Sequence, residues 1–255
     1  MSRFRWVAMS IVLWVWVVSC THHENDKLTI ATAANMRFAI DELVETFSEE
    51  TDIECQLIIS SSGALTAQIM EGAPYDVFVA ANMSYPTRLF ESGFSEAPPA
   101  IYAYGTLVLW TLGDSLPAIN ALTGKNIRHI AIANPKLAPY GTAAIEFLKN
   151  LGIYNEVEDK LVFGESLAQT NQFIASKAAN VGITSMSTVL APGMQNKGVW
   201  KALDEEIYPV IEQGVVKVKK RNIDSNAEQA DRFMVFLFSD TGKNILKRYG
   251  YRVND

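Results

Sequence analysis

The stretch LTIATAANMRFAIDELVETF, residues 28–47, decides how this fold is interpreted. Leu28 to Thr32 is rich in β-branched residues and predicts a strand, and residues 33–35 form a turn of small and polar residues. The segment after the turn has apolar residues at i, i+3, i+4 and i+7, which predicts one buried helix face: Ile40, Leu43, Val44 and Phe47. The stretch therefore predicts a strand, a tight turn and an amphipathic helix.

Two further units with the same pattern follow along the chain. Residues 56–60 predict a strand that leads through Ser61, Ser62 and Gly63 into a helix over 64–70, and residues 76–80 predict a strand before a helix over 84–91. Cys55, at the start of the second strand, is predicted to be buried. Alternating strands and helices are typical of α/β architecture with mostly parallel sheets.

A second α/β lobe is predicted farther along the chain. Residues 102–112 predict one long strand that enters this lobe, and residues 208–218 predict a strand that returns from it. Between them, residues 130–133, 161–163 and 181–184 predict short strands, with helices over 142–150 and 167–176. We therefore expect lobe I to comprise residues 27–104 and 214–255, lobe II to comprise 105–213, and two hinge crossings to join them.

The first 19 residues are predicted to be a signal peptide. Arg3 and Arg5 precede an apolar run from Trp6 to Val18, which at about 15 uncharged residues is short for a spanning helix of roughly 20. Ser19 and Cys20 resemble a bacterial lipobox, so Cys20 is expected to carry the lipid after cleavage, with residues 20–26 as a tether to the membrane.

The composition argues against a nucleic-acid partner. Removal of Arg3 and Arg5 changes the balance of 22 basic and 28 acidic residues to 20 and 28, so the formal charge moves from −6 to −8. A protein this acidic has no electrostatic basis for binding phosphate backbones.

Catalytic machinery is scarce in the sequence. There are three histidines, of which His22 and His23 fall in the tether, and His129 precedes a predicted strand. A zinc site or a catalytic triad would depend on His129 alone. Residues 164–168 lack the closing glycine of a nucleophile elbow, and Ser166 is predicted to be a helix cap. We therefore expect neither an enzyme nor a protein-coordinated metal or cofactor.

The recurring feature is a strand that ends in small or hydroxylated residues just before a helix. Such turns direct unpaired backbone N–H groups toward the carboxyl edge of a sheet, where ligands of α/β proteins bind. The turns at Asn35, Ser62, Tyr140 and Leu167 contain no Lys or Arg. Neutral dipoles can hold a dianion without the cost of burying opposite charges, so two facing lobes could enclose an oxyanion.

The mature chain resembles the periplasmic molybdate-binding proteins of ABC uptake systems over residues 27–253. The resemblance depends on five segments taken together: AAN at 33–35, SSGALTAQI at 61–69 with GAPYDVF at 72–78, NP at 134–135, PYG at 139–141 and KRYGY at 247–251. It implies a type II periplasmic-binding-protein fold that closes over molybdate or tungstate and delivers the ion to an inner-membrane permease. It also implies a monomer.

The resemblance implies the ligand residues position by position. Asn35 matches the first-turn ligand, with the backbone of Ala34 or Asn35 contributing, and Ser62 matches the second-turn hydroxyl and amide donor. Tyr140 and Leu167 match positions that donate backbone N–H groups. Some members place a tyrosine hydroxyl on the anion where this chain has Ser185, which is too short to replace it, so Ser185 departs from the pattern.

Two alternatives stay open from the sequence. The same dipoles would serve sulfate, phosphate or an organic anion, and the size of the cavity cannot be deduced from sequence. An oxyanion sensor or an adhesin-like lipoprotein would use a similar cleft to contact a different partner.

Overall fold

The computed structural model describes residues 27–95, 97–194, 196–219 and 226–254. The predicted signal peptide, residues 1–19, and the tether with Cys20 lie outside the described residues. Within the described ranges, no helix combines the length and apolar character needed to cross a membrane.

The described residues form ten strands and nine α-helices, with short 3-10 segments between some of them. The strands are β1 Leu28–Ala33, β2 Cys55–Ser60, β3 Val77–Val79, β4 Ala100–Gly105, β5 Leu107–Thr111, β6 Ile130–Ala133, β7 Leu161–Gly164, β8 Val181–Ser185, β9 Val199–Ala202 and β10 Ile211–Lys217. The α-helices are α1 Arg37–Thr51, α2 Ser62–Glu71, α3 Ser84–Glu91, α4 Pro139–Asn150, α5 Tyr154–Val157, α6 Leu167–Ala175, α7 Met186–Leu190, α8 Ala227–Leu237 and α9 Asp240–Arg248.

The strands divide into two sheets with the same topology. The first has the order β2-β1-β3-β10-β4 and the second the order β7-β6-β8-β5-β9. In each sheet the first three strands pair in parallel, and the fourth pairs antiparallel with both neighbours. Four of the five strands therefore point the same way, which confirms the predicted two-lobed, mostly parallel α/β fold.

Helices cover both faces of each sheet. In the first lobe, α1, α8 and α9 bury their apolar faces in one cluster, and α2 and α3 contribute to the cluster on the opposite face. In the second lobe, α4 packs into one cluster, α7 packs into the other, and α6 contributes to both. Burial of these faces is the main contribution to the stability of each lobe.

The prediction of a single long strand over residues 102–112 is wrong. The chain leaves the first sheet at Gly105 and enters the second at Leu107, so Thr106 alone separates β4 from β5. The strand-like alternation continues through Thr106 because β4 and β5 are both strands. Periodicity indicates that a segment is a strand, but it does not indicate which sheet the strand joins. Strand β9, at the edge of the second sheet, was not predicted.

The two crossings between the sheets contact each other. The hydroxyl of Thr106 donates a hydrogen bond to Glu205 Oε1 over 2.7 Å, and the N–H of Leu107 donates to the hydroxyl of Tyr208 over 3.1 Å. Glu205 and Tyr208 lie in the returning segment between β9 and β10. The exact lobe boundaries, 104/105 and 213/214, stay a prediction.

Candidate functional site

The residues predicted from sequence lie where strands end and helices begin. Asn35 is in the 3-10 turn Ala34–Met36 between β1 and α1, and Ser62 is the first residue of α2. Tyr140 is the second residue of α4, and Leu167 is the first residue of α6. The first N–H groups of a helix have no acceptor within it, so these turns offer backbone donors.

All six candidate residues are buried, and three of them share one apolar cluster. Ala34 of the first lobe packs in the same cluster as Tyr140 and Leu167 of the second lobe. Helix α6 also packs against the turn of residues 34–36. The two lobes therefore meet at the turns that the sequence identified.

Asn35 and Tyr140 are joined through a residue that the sequence did not identify, Gln213. The Nδ2 atom of Asn35 donates to Gln213 Oε1 over 2.6 Å, and Gln213 Nε2 donates to the hydroxyl of Tyr140 over 3.4 Å. Gln213 is fully buried in β10, next to a register shift in its pairing with β4. One side chain on the returning strand thus contacts candidate residues from both lobes.

A second set of hydrogen bonds holds the backbone of Asn35. Its carbonyl oxygen accepts from the hydroxyl of Ser187 over 2.7 Å and from the hydroxyl of Tyr251 over 2.9 Å. The hydroxyls of Ser185 and Ser187 are 2.9 Å apart. Ser185 is therefore connected to Asn35 through Ser187, and its role as a ligand stays a prediction.

Ser62 makes a separate set of hydrogen bonds. Its hydroxyl oxygen accepts from the N–H of Ala81 over 3.0 Å, which leaves the hydroxyl hydrogen available for a further acceptor. Among the described residues, no hydrogen bond joins Ser62 to Asn35. The turn at Ser62 contacts the second lobe instead, because the N–H of Gly63 donates to the carbonyl of Leu137 just before α4.

The side chains that surround Asn35 are neutral amides and hydroxyls. Burial raises the pKa of Tyr251 to about 12 and raises the pKa values of Tyr102 and Tyr140 well above their ordinary range. The three phenols therefore keep their protons near neutral pH and remain hydrogen-bond donors. Such a set can stabilise a buried anion by dipoles, without an opposed full charge.

Close packing at Gly105 brings this network together. A Cβ atom at this position would lie 2.0 Å from the hydroxyl of Tyr140 and 2.9 Å from Gln213 Nε2. Any larger residue would displace both side chains. Gly105, the last residue of β4, is thus required where the chain leaves the first sheet.

Three more residues of this network were missed by the sequence reasoning: Tyr102, Ser187 and Tyr251. The hydroxyl of Tyr102 donates to Gln213 Oε1 over 2.9 Å. Tyr251 belongs to the closing KRYGY segment, which supported the resemblance but suggested no role. The segment 211–218 also contains Glu212 and Lys217, so Gln213 gave no local signal of its role.

Comparisons with known proteins identify the family. The family model described as bacterial extracellular solute-binding protein matches residues 28–252. The molybdate-binding protein ModA of Rhodobacter capsulatus is 34% identical over 223 residues, which are 87% of this chain and 86% of that protein. A putative ABC transporter substrate-binding lipoprotein of Bacillus subtilis, YvgL, is 26% identical over 88% of this chain and 89% of that protein.

A solved structure agrees with these matches. The periplasmic molybdate-binding protein of Azotobacter vinelandii aligns with a TM-score of 0.83 at 30% identity, over 90% of this chain and 100% of that chain. The chain therefore belongs to the bacterial extracellular solute-binding proteins, in the group of periplasmic molybdate-binding proteins of ABC transporters.

Proposed function

We propose that this protein is the extracytoplasmic binding component of an ABC importer and that it binds molybdate or tungstate between its two lobes. The oxyanion is the transported ligand and not a cofactor, and no bond is made or broken. The observation that carries the proposal is the neutral hydrogen-bond network in which Gln213 joins Asn35 to Tyr140. The molybdate-binding relatives support the choice of ligand.

In the proposed site, hydrogen-bond donors of the four turns surround the ion. The side chains of Asn35 and Ser62 and the backbone N–H groups of Ala34, Tyr140 and Leu167 are the proposed donors. A tetrahedral dianion offers acceptors on every side, so donors from both lobes can satisfy it only when the lobes are closed. Binding and closure are therefore coupled.

A ligand panel tests the proposed function. Molybdate, tungstate, sulfate and phosphate are each added to the protein in a thermal-unfolding assay and then titrated by calorimetry. A ligand that binds the folded state alone, at 100 times its Kd, raises the unfolding free energy by about 2.7 kcal/mol. We expect this stabilisation with molybdate and tungstate. Stabilisation by sulfate or phosphate, with none by molybdate, would contradict the proposal.

We further propose that residues 1–19 are a signal peptide and that Cys20 carries a lipid that anchors the protein outside the cytoplasm. The apolar run before Ser19 and Cys20 supports this proposal, and one relative bears the name of a lipoprotein. Growth with a labelled fatty acid tests it. We expect label in the wild-type protein and none in a Cys20→Ala variant, and label in both would contradict it.

The proposed transport cycle involves one copy of the chain and a permease. A monomer that closes over the ion presents both lobes to the transporter, which can distinguish the closed from the open form. Light scattering of the purified protein tests the monomer, and a mass of twice that of one mature chain would contradict it.

A further inference from the structure

Both polar atoms of the Gln213 side chain make hydrogen bonds within the candidate site. Its Oε1 atom accepts from Asn35 Nδ2 over 2.6 Å and from the hydroxyl of Tyr102 over 2.9 Å. Its Nε2 atom donates to the hydroxyl of Tyr140 over 3.4 Å. The orientation of this one amide therefore determines which groups its neighbours can offer to a ligand.

In the side-chain amide of Asn35, the nitrogen has hydrogen-bond partners and the oxygen has none. Nδ2 donates to Gln213 Oε1 and to the hydroxyl of Tyr251, the latter over 3.0 Å. Oδ1 is buried and has no hydrogen-bond partner among the described residues. A buried amide oxygen without a partner costs free energy, so this atom requires a donor. A fully deprotonated oxyanion has only acceptors and cannot supply one.

Reversal of both amides resolves this mismatch. A half-turn about the last side-chain bond of Asn35 and of Gln213 exchanges oxygen and nitrogen and keeps the shape of each side chain. Gln213 Nε2 then donates to Asn35 Oδ1 and to the hydroxyl of Tyr102, and Gln213 Oε1 accepts from the hydroxyl of Tyr140. Tyr102 remains satisfied, because its hydroxyl also lies 3.3 Å from the carbonyl of Ala80.

The reversed arrangement also suits Tyr251. Its hydroxyl turns its hydrogen toward Asn35 Oδ1, and the carbonyl of Asn35 keeps the hydrogen bond from Ser187. Burial holds the pKa of Tyr251 at about 12 and that of Tyr140 well above its ordinary range, so both phenols have a proton to donate. Both N–H bonds of Asn35 are then available for a ligand.

We propose that Gln213 is a positioning residue that determines specificity: it sets the amide orientation of Asn35, and a fully deprotonated oxyanion is bound with both amides reversed. This proposal rests on the proposed function, in which Asn35 contacts the ion. The unreversed orientation presents an acceptor and matches an oxyanion that carries a proton. Gln213 thus determines whether Asn35 presents donors or an acceptor to the ligand, and therefore whether the site favours a fully deprotonated or a protonated oxyanion.

Two substitutions at Gln213 separate orientation from packing. In Gln213→Glu, the carboxylate only accepts, so it pairs with Asn35 Nδ2 and fixes the unreversed orientation. In Gln213→Met, all three hydrogen bonds are lost, and Asn35 is free to adopt either orientation. The two side chains are similar in size, so they disturb the packing to a similar degree.

Calorimetry with molybdate and arsenate at pH 8 measures the consequence, with arsenate affinity taken from competition against molybdate. Both ions are dianions at this pH, but arsenate carries one proton, so the added charge of Gln213→Glu opposes both. We expect the ratio of molybdate to arsenate affinity to fall about tenfold or more in Gln213→Glu, the scale of one hydrogen bond to a charged group. In Gln213→Met the ratio stays within about threefold of wild type, because neither orientation is imposed. An equal ratio in the two variants would overturn the proposal.

A neutron structure of the wild-type protein with molybdate, determined after exchange into deuterated buffer, shows the orientation of both amides directly. We expect the deuterons of Asn35 Nδ2 to point at molybdate and Asn35 Oδ1 to accept from Gln213 Nε2. Bound molybdate with Asn35 Nδ2 still on Gln213 Oε1 would overturn this inference and leave the proposed function intact. Wild-type protein that fails to bind molybdate in the calorimeter would instead contradict the proposed function.

Discussion

The N–H of Gly63 donates a hydrogen bond to the carbonyl oxygen of Leu137 over 2.9 Å, and this bond joins the two lobes through their backbones. Close by, the hydroxyl of Tyr85 in the first lobe donates to the carbonyl of Lys136 in the second lobe over 3.2 Å. Both bonds must break when the lobes separate. We therefore expect them to stabilise the closed form and, through closure, to increase the affinity for the proposed ligand.

We predict that Gly63→Ala weakens molybdate binding by opposing closure. The added Cβ would lie 2.9 Å from the Tyr85 hydroxyl and 3.1 Å from the Cα and carbonyl oxygen of Leu137. Overpacking of this kind costs ~1–3 kcal/mol and here acts on the closed form alone, so Kd should rise roughly five- to 150-fold. Calorimetry measures the affinity, and small-angle scattering measures the closure.

The double variant Gly63→Ala with Tyr85→Phe is the matched control. Loss of the Tyr85 hydroxyl removes the shorter of the two close contacts and retains the contact with Leu137. Because this change also removes the bond from Tyr85 to Lys136, the reference is Tyr85→Phe alone, and Gly63→Ala should cost less affinity in that background than in wild type. If Gly63→Ala binds molybdate as tightly as wild type, the contact at Leu137 does not form in the complex.

We predict that Ser62→Ala weakens molybdate binding by ~1.5–3 kcal/mol, the scale of a hydrogen bond to a charged group. The substitution also removes the acceptor for the N–H of Ala81, so the thermal stability should fall as well. Thr66→Val controls for this second effect, because the Thr66 hydroxyl donates to the carbonyl of Ser62 and is equally buried. We expect Thr66→Val to lower the melting temperature and leave the affinity unchanged; equal affinities in the two variants would remove Ser62 from the site.

Local patterns sufficed to predict the sheets and the turns. The strand, turn and helix of residues 28–47 appear as β1, the 3-10 turn with Asn35, and α1. The predicted cap at Ser166 is confirmed, since its hydroxyl accepts from the N–H of Gln169. These features depend on residues a few positions apart, and short-range periodicity and turn chemistry report them well.

The network around Asn35 could not be predicted in the same way. Asn35 is 178 residues from Gln213 and 216 residues from Tyr251 along the chain, yet both accept from its Nδ2. Such contacts follow from how the returning strand and the C-terminal segment pack against the first turn. No local pattern carries that information, and Gln213 is one of three polar side chains in the strand Ile211–Lys217, with Glu212 and Lys217.

We predict that Tyr251→Phe destabilises the fold and weakens molybdate binding. The hydroxyl accepts from Asn35 Nδ2 over 3.0 Å and lies within hydrogen-bond distance of the Asn35 carbonyl and of Ser187. Its loss leaves a buried N–H without a partner, which costs ~1–3 kcal/mol. Denaturant unfolding measures the stability, and calorimetry measures the affinity.

Tyr75→Phe is the matched control for Tyr251→Phe. The Tyr75 hydroxyl also makes a hydrogen bond, to Gln68 over 2.9 Å, but this bond is exposed to water. Its loss should change the unfolding free energy by no more than about 0.5 kcal/mol. Equal effects of the two substitutions would mean that the hydroxyl of Tyr251 does not stabilise the turn at Asn35.

We predict that Cys55 reacts slowly with alkylating reagents at neutral pH. It was expected to be buried, and the structure makes it a partly buried residue at the start of β2. Burial is the main cause that raises the pKa of its thiol from the ordinary 9.0 to about 11, with a smaller contribution from the charge of Asp76. The thiolate is the reactive form, so it is scarce below this pH. Alkylation by iodoacetamide in a Cys20→Ala chain, where Cys55 is the remaining thiol, should accelerate up to about pH 11.

The same shift makes the stability contributed by Cys55 depend on pH. Because the folded pKa is raised, the folded chain holds this proton more tightly than the unfolded chain does. The contribution is complete below pH 9.0 and decreases as the pH rises toward about 11. Other groups titrate in this range, so the measurement compares wild type with Cys55→Ala by denaturant unfolding at each pH. We expect the difference in unfolding free energy to shrink across this interval, and a difference that stays constant would show that the thiol of Cys55 ionises equally in both states.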